Sequence, residues 1–184
     1  AASPPKRGHL TADREKSESI RSRYFTGESK TLVGIAWHSH NLMRPERNLP
    51  LSLWGPILTL PNVTFVSLQY GDATADIAEA ERQFGATILN DPQIDQTANL
   101  DDLASQIDAL DLVVSISQAS AHFAGALGKR VLTMLPKVPD WRYGLERSDT
   151  IWYPSMTLYR QSKTDVWDDV IAAVAADIAK ITSR

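Results

Sequence analysis

Leu112-Val113-Val114-Ser115-Ile116-Ser117-Gln118-Ala119-Ser120-Ala121-His122-Phe123-Ala124-Gly125-Ala126-Leu127-Gly128 is the stretch that decides the fold. Leu112 to Ile116 is apolar but for one serine, too short for a helix and rich in β-branched residues. It passes without a polar linker into a helix-forming series that opens with small residues. Gly128 stands where a left-handed residue can end that helix. A nearly continuous apolar run feeding straight into a helix is what a strand of a parallel sheet, buried on both faces, looks like.

Outward from this unit the pattern repeats. Further runs are Leu32-Val33-Gly34-Ile35-Ala36, Val63-Thr64-Phe65-Val66-Ser67-Leu68, Ala86-Thr87-Ile88-Leu89 and Val131-Leu132-Thr133-Met134-Leu135, with a weaker sixth at Met156-Thr157-Leu158-Tyr159. Leu100, Leu103, Ala104, Ile107 and Leu110 share one helical face, with Asp101 and Asp102 in the first turn where the helix dipole favours acids. Ala119 to Leu127 reads as a short helix. Asp165 to Ile181 reads as a longer one, striped by Ile171, Val174, Ile178 and Ile181. Between Pro50 and Leu60, Pro56 demands a kink or a restart. Strands alternating with helices give an α/β fold, a mainly parallel sheet with helices on both faces. Its ligands belong beyond the carboxyl ends of the strands, which selects loops 37–49, 69–73, 90–99, 117–121 and 136–155.

The first 30 residues read differently. Ala1 to Gly8 reads as disordered, and His9 to Phe25 as a solvated helix with Leu10, Ile20 and Phe25 as sparse anchors. The expected division is a partly disordered tether over 1–30 and a folded domain over 31–184. With 184 residues, 43% of them hydrophobic and 22% charged, the chain can bury a sizeable core. A formal net charge of -3 offers no basic excess for nucleic acid or an anionic membrane. No apolar run reaches the length of a membrane span. The absence of cysteine excludes disulfides, thiolate metal sites and a cysteine nucleophile, and fits a cytoplasmic location.

Ser117 can cap the helix that follows it, leaving first-turn amides free for an anion, and Ser120 and His122 stand in that same turn. An ordinary capped helix with His122 packed in the core explains the same residues. The loop after the first strand brings Trp37, His38, Ser39, Arg44 and Arg47, two guanidiniums and imidazoles near the expected phosphate position. A solvated loop is the plainer account of it. A metal site on His38, His40 and His122 is not required by the spacing, and no metal or other cofactor is expected. Trp141 and Arg142, in an aromatic and proline-rich stretch continued by Trp152-Tyr153-Pro154, would wall a base or sugar pocket or simply cover a sheet edge. There is no G-x-S-x-G elbow, no G-x-G-x-x-G loop and no Walker lysine loop, which disfavours serine hydrolases, dinucleotide dehydrogenases and P-loop enzymes.

Val113 to Gly128, Leu135-Pro136, Pro139-Asp140-Trp141-Arg142 and Trp152-Tyr153-Pro154-Ser155-Met156-Thr157-Leu158-Tyr159-Arg160-Gln161 resemble the C-terminal domain of bacterial glycosyltransferase family 9-like proteins. These are relatives of the ADP-heptose:lipopolysaccharide heptosyltransferases, often joined to tetratricopeptide repeats. Val33-Gly34-Ile35-Ala36-Trp37, Arg47-Asn48-Leu49-Pro50-Leu51 and Phe65-Val66-Ser67-Leu68-Gln69 follow the same pattern. The resemblance implies a Rossmann-like domain, the C-terminal half of a GT-B fold, that binds a nucleotide-diphosphate sugar as donor. An upstream acceptor-binding domain would supply the catalytic base, so this chain alone is expected to transfer no sugar. Carried over by position, the 117–122 turn with Gln118 meets the diphosphate and sugar, Arg44 or Arg47 is the basic clamp, and Tyr70, Gly71 and Asp72 lie beside the nucleoside. The family usually has Asp-Thr where this chain has Ser117-Gln118, whereas His122 and the Ala-Gly-Ala-Leu-Gly tail are kept. The alternative is a GT-B-like interaction domain that has lost transfer.

Overall fold

The computed structural model describes residues 8–25, 31–41 and 43–183. Of the terminal stretch read as disordered, all but Gly8 lies outside the described residues.

Six strands are described: β1 Thr31–Ala36, β2 Val63–Ser67, β3 Ile88–Leu89, β4 Leu112–Ile116, β5 Val131–Leu135 and β6 Met156–Arg160. They form one sheet in the order β3-β2-β1-β4-β5-β6 with every pairing parallel. The helices are α1 Arg14–Tyr24, α2 Gly55–Leu58, α3 Thr74–Phe84, α4 Leu100–Asp108, α5 Ala119–Ala126 and α6 Asp168–Thr182. This is the expected Rossmann-like α/β arrangement. Alternation along the strands builds two cores. Val33, Ile35, Val114, Leu132 and Met134 face α2, α3 and α6, where Ile57, Ile77 and Val174 meet them. Leu32, Val66, Val113 and Val131 face α1, α4 and α5, where Ile20, Ile107 and Ala124 do so.

The sheet reverses its order between β1 and β4, so their outgoing loops diverge and leave a crevice there. Pro56 sits in the first turn of α2 after a separate 3₁₀ turn at Leu51–Leu53, the restart its ring requires. α6 begins three residues later than the apolar pattern suggests, because Asp165 takes a positive φ of 61°. β3 keeps only two of four expected residues. α3 carries a thin buried stripe, Ile77 and Ala80, which gives the sequence little helical signal.

The segment read as a tether contains a packed element. α1, capped by Asp13 accepting from Lys16 N–H, lies on α4 and buries Ile20 and Tyr24. Tyr24 Oη donates to Asp91 Oδ2 (2.8 Å) and accepts from Gln106 Nε2 (3.0 Å). Leu10 and Phe25, the other expected anchors, remain about half exposed. At Gly125 a Cβ would lie 2.5 Å from Tyr153 Cγ, so the glycine admits the Tyr153 ring from the loop before β6.

Candidate functional site

β4 delivers Ser117 and Gln118 to the crevice between the diverging loops. Gln118 is the N-cap residue of α5, extended at φ −149°, and no side chain caps the helix. Ala121 N–H turns back to Gln118 O (3.2 Å). Among the described residues the amides of Ala119 and Ser120 meet no acceptor. The expected cap by Ser117 is therefore not formed. Ser117 stands one residue too early, and its buried hydroxyl instead donates to Asp140 Oδ2 (3.3 Å), with Tyr143 Oη at 3.4 Å. Ser120 is buried too, its Oγ donating to Leu68 O (3.1 Å), so this residue offers its amide rather than its hydroxyl.

A cavity of about 290 Å³ at this helix start is lined by Ser39, Arg47, Tyr70, Ser117, Gln118, Ala119, His122, Asp140 and Arg142. Asp140 is its electrostatic centre. Arg47 Nη2 donates to Asp140 Oδ1 (2.6 Å), and Arg44 Nη1 reaches the same oxygen at 3.4 Å. The two guanidiniums fare differently. Arg44 pairs also with Glu46 and donates to Val138 O (3.2 Å), and it lines a separate hollow against Pro136–Pro139. Arg47 faces the crevice with a buried Nε that has no partner among the described residues.

His122 Nε2 lies 3.1 Å from Tyr143 Oη and 3.4 Å from Arg142 Nη1. Both neighbours are donors, which makes Nε2 the acceptor of a neutral ring. Burial, and then the Arg142 guanidinium, hold its pKa below the ordinary 6.5, with Asp140 pulling the other way. Burial also raises the Tyr143 hydroxyl, keeping it protonated as the donor to His122. Gln118 is 7% exposed, yet among the described residues neither Nε2 nor Oε1 of its carboxamide has a partner. An unmet buried polar group costs about 1–3 kcal/mol.

Other expected residues lie elsewhere. Trp37 is buried, with Nε1 donating to Asp76 Oδ2 (2.8 Å), and it lines a different cavity with His38, Asn48, Pro50, Leu51, Ser52 and Glu79. Continuing the Val33–Ile35 alternation places it on that core face. His38 contributes backbone to Gln69, whose Oε1 accepts from the Trp37 and His38 amides and whose Nε2 donates to His38 O and Tyr70 O. Ser39 N–H is held by Asn48 Oδ1 (2.7 Å). Tyr70 joins the crevice to a polar cavity lined further by Gly71, Asn90 and residues 91–92 and 94–97. Gly71 has φ +80°, and a Cβ there would crowd His40 Cε1 at 3.2 Å. Asp72 caps Thr74 N–H (3.0 Å), the bond that lowers its carboxyl pKa. Trp141 is 79% exposed, edge-on to Trp152 at 6.4 Å, beside rather than inside the cavity. His38 and His40 rings adjoin at 4.9 Å, but among the described residues no three His, Cys, Asp or Glu side chains group to hold a metal ion. Asp140, Tyr143 and Gln69 organise the crevice and its loops although the motifs did not single them out. The lone acid in Pro139-Asp140-Trp141-Arg142 and the amide just beyond the second strand are the signals for Asp140 and Gln69, and nothing local marks Tyr143.

No family model matches the chain. It is 38% identical over 146 residues to the protein FlbA of Caulobacter vibrioides, a match covering 78% of this chain and 24% of FlbA. The chain thus spans about a quarter of the length of that curated relative. Among solved structures, an E. coli ADP-heptose lipopolysaccharide heptosyltransferase II superposes with TM-score 0.65 at 12% identity, over 94% of this chain and 51% of the enzyme. A family 9 glycosyl transferase from Veillonella parvula gives 0.63 at 11% identity, over 100% of this chain and 47% of that one. The shared property is the fold, and the chain corresponds to about half of each transferase. No described helix is long and apolar enough to cross a membrane.

Proposed function

We propose that this chain is the donor-binding domain of a GT-B glycosyltransferase, holding the diphosphate of a nucleotide sugar at the start of α5. The observation that carries this is the meeting of two unpaired amides, at Ala119 and Ser120, with Arg47 and Arg142 in one crevice at the switch point of the sheet. A diphosphate accepts such bonds with all its oxygens, and the helix dipole adds to them. Transfer breaks the bond between the sugar carbon and the diphosphate oxygen, and the electron pair leaves on the diphosphate. The open amides of the α5 turn, with Arg47 turned toward them from Asp140, would stabilise the charge as it develops. The acceptor hydroxyl must lose its proton to a base, which we assign to another part of a longer cytoplasmic polypeptide. The half-length match to the two transferases and the quarter-length match to FlbA support such a remainder. Tetratricopeptide repeats, where the sequence resemblance extends that far, belong to it as well.

A non-catalytic interaction domain is the second reading. It is favoured by the engagement of both arginines with Asp140 and by a serine at 117, where the resemblance leads one to expect aspartate. Titration of the chain with UDP, GDP, ADP and CDP, followed by NMR, separates the two. Donor binding shifts residues 117–122 together with Ser39, Arg47 and Arg142. Arg47→Ala then weakens the tightest ligand about tenfold, the loss of one charge-assisted bond, and Arg44→Ala does so less. An intact fold with no shift in the crevice at millimolar ligand leaves the interaction reading standing.

A further inference from the structure

Among the described residues, no hydrogen bond holds the side chain of Gln118 where it is. It is 7% exposed, lines the crevice, and leaves both carboxamide heavy atoms without a partner there. Because both are unmet, the point holds whichever way the amide is flipped. Around it Ser117 is bonded to Asp140, Tyr143 to His122 and Asp140 to Arg47. The one unmet side-chain neighbour among the described residues that line the crevice, Arg47 Nε, can only donate and so leaves the carboxamide Nε2 without an acceptor. A carboxamide completes its bonding only with a partner that both donates and accepts. A phosphate only accepts, so it would satisfy Nε2 and confront Oε1 with like charge.

We propose that Gln118 recognises a hydroxyl-bearing ring flanking the diphosphate, pairing its carboxamide with two adjacent ring hydroxyls. This rests on the donor-binding reading above. Gln118 immediately precedes the two unpaired amides that would take the phosphates. The groups nearest to it are therefore the two rings that flank the diphosphate, the ribose on one side and the transferred sugar on the other. A nucleobase lies a ring further away. Rotation of the side chain onto such a ring breaks no hydrogen bond, since none exists, and relieves two unmet groups. The residue is a specificity determinant for polyhydroxylated donors, at the position where the resembled family has threonine.

The test measures affinities of the 184-residue chain and its Gln118→Met variant, similar in length but without hydrogen-bonding groups. Ligands are inorganic pyrophosphate, the four nucleoside diphosphates, their 2′-deoxy forms, and UDP-glucose and ADP-glucose. Pyrophosphate affinity should stay within about twofold, while the ligand carrying the recognised ring loses about tenfold, the equivalent of two neutral hydrogen bonds. If the ring is ribose, the variant loses affinity for the nucleoside diphosphates, and for the 2′-deoxy forms, which keep one of the two hydroxyls, the difference between parent and variant is smaller. If it is the transferred sugar, only the sugar conjugates fall. The melting temperature of the variant should match or exceed that of the parent, because an unmet buried amide has gone. Gln118→Asn, too short to reach the ring, gives the same readout should the methionine variant melt lower. Equal losses for pyrophosphate and the ring-bearing ligands, or no loss for any, overturn the proposal while leaving the anion site in place. Failure of every ligand including pyrophosphate to bind overturns the donor-binding reading and this one with it.

Discussion

Asp140 sets the balance of the crevice, because its carboxylate occupies the guanidinium that an incoming anion needs. Asp140→Asn removes a like charge from the anion's surroundings and frees Arg47. Nucleoside diphosphate affinity, measured by calorimetry, should rise about three- to tenfold. A fall would mean that Asp140 orients Arg47 rather than competing for it. His122 carries a pH signature. Its folded pKa is depressed, so as pH falls through the ordinary 6.5 the unfolded chain takes up a proton that the folded ring still refuses. Stability is then lost until the pH has passed below the folded value, and is flat on either side. Thermal melts between about pH 7.5 and pH 5 should show this loss in the parent and a smaller one in His122→Asn; equal slopes would contradict the assignment. The residues of the α5 turn were legible because one continuous stretch of chain carries them. Their partners were not. Ser117 meets Asp140 across 23 positions, and nothing local tells a capping serine from one that donates to a distant loop.

Among the elements, the strands were readable because burial on both faces leaves nearly unbroken apolar runs. α3 was not, since Ile77 and Ala80 are a faint stripe, and α1 was underrated because charged residues surround its three buried ones, Ser17, Ile20 and Tyr24. α1 gives the sharpest test of this scale. Ile20 is 1% exposed in the core shared with α4, so Ile20→Ala should cost about 2–5 kcal/mol in chemical denaturation. A solvated tether would show almost no change. The direction of Trp37 was legible in principle: the alternation Val33, Ile35, Trp37 runs onto one face, and reading it would have placed the indole against Asp76 rather than in the crevice.

For the molecule as a whole, the strand order explains why two distant loops converge. With β1 and β4 adjacent and their neighbours running outward in opposite directions, the loops carrying Arg47 and Ser117 share one end of the sheet. The alternation of strands and helices foretold that convergence, but not the acid placed between them. The claim at the centre is that a diphosphate sits on the open turn of α5. A crystal structure of the chain soaked with its tightest nucleoside diphosphate tests this directly. The diphosphate should accept from the Ala119 and Ser120 amides, with Arg47 turned from Asp140 toward it. Density for the diphosphate in the cavity beside Trp37, or a nucleotide bound elsewhere with this crevice unoccupied, would contradict the account.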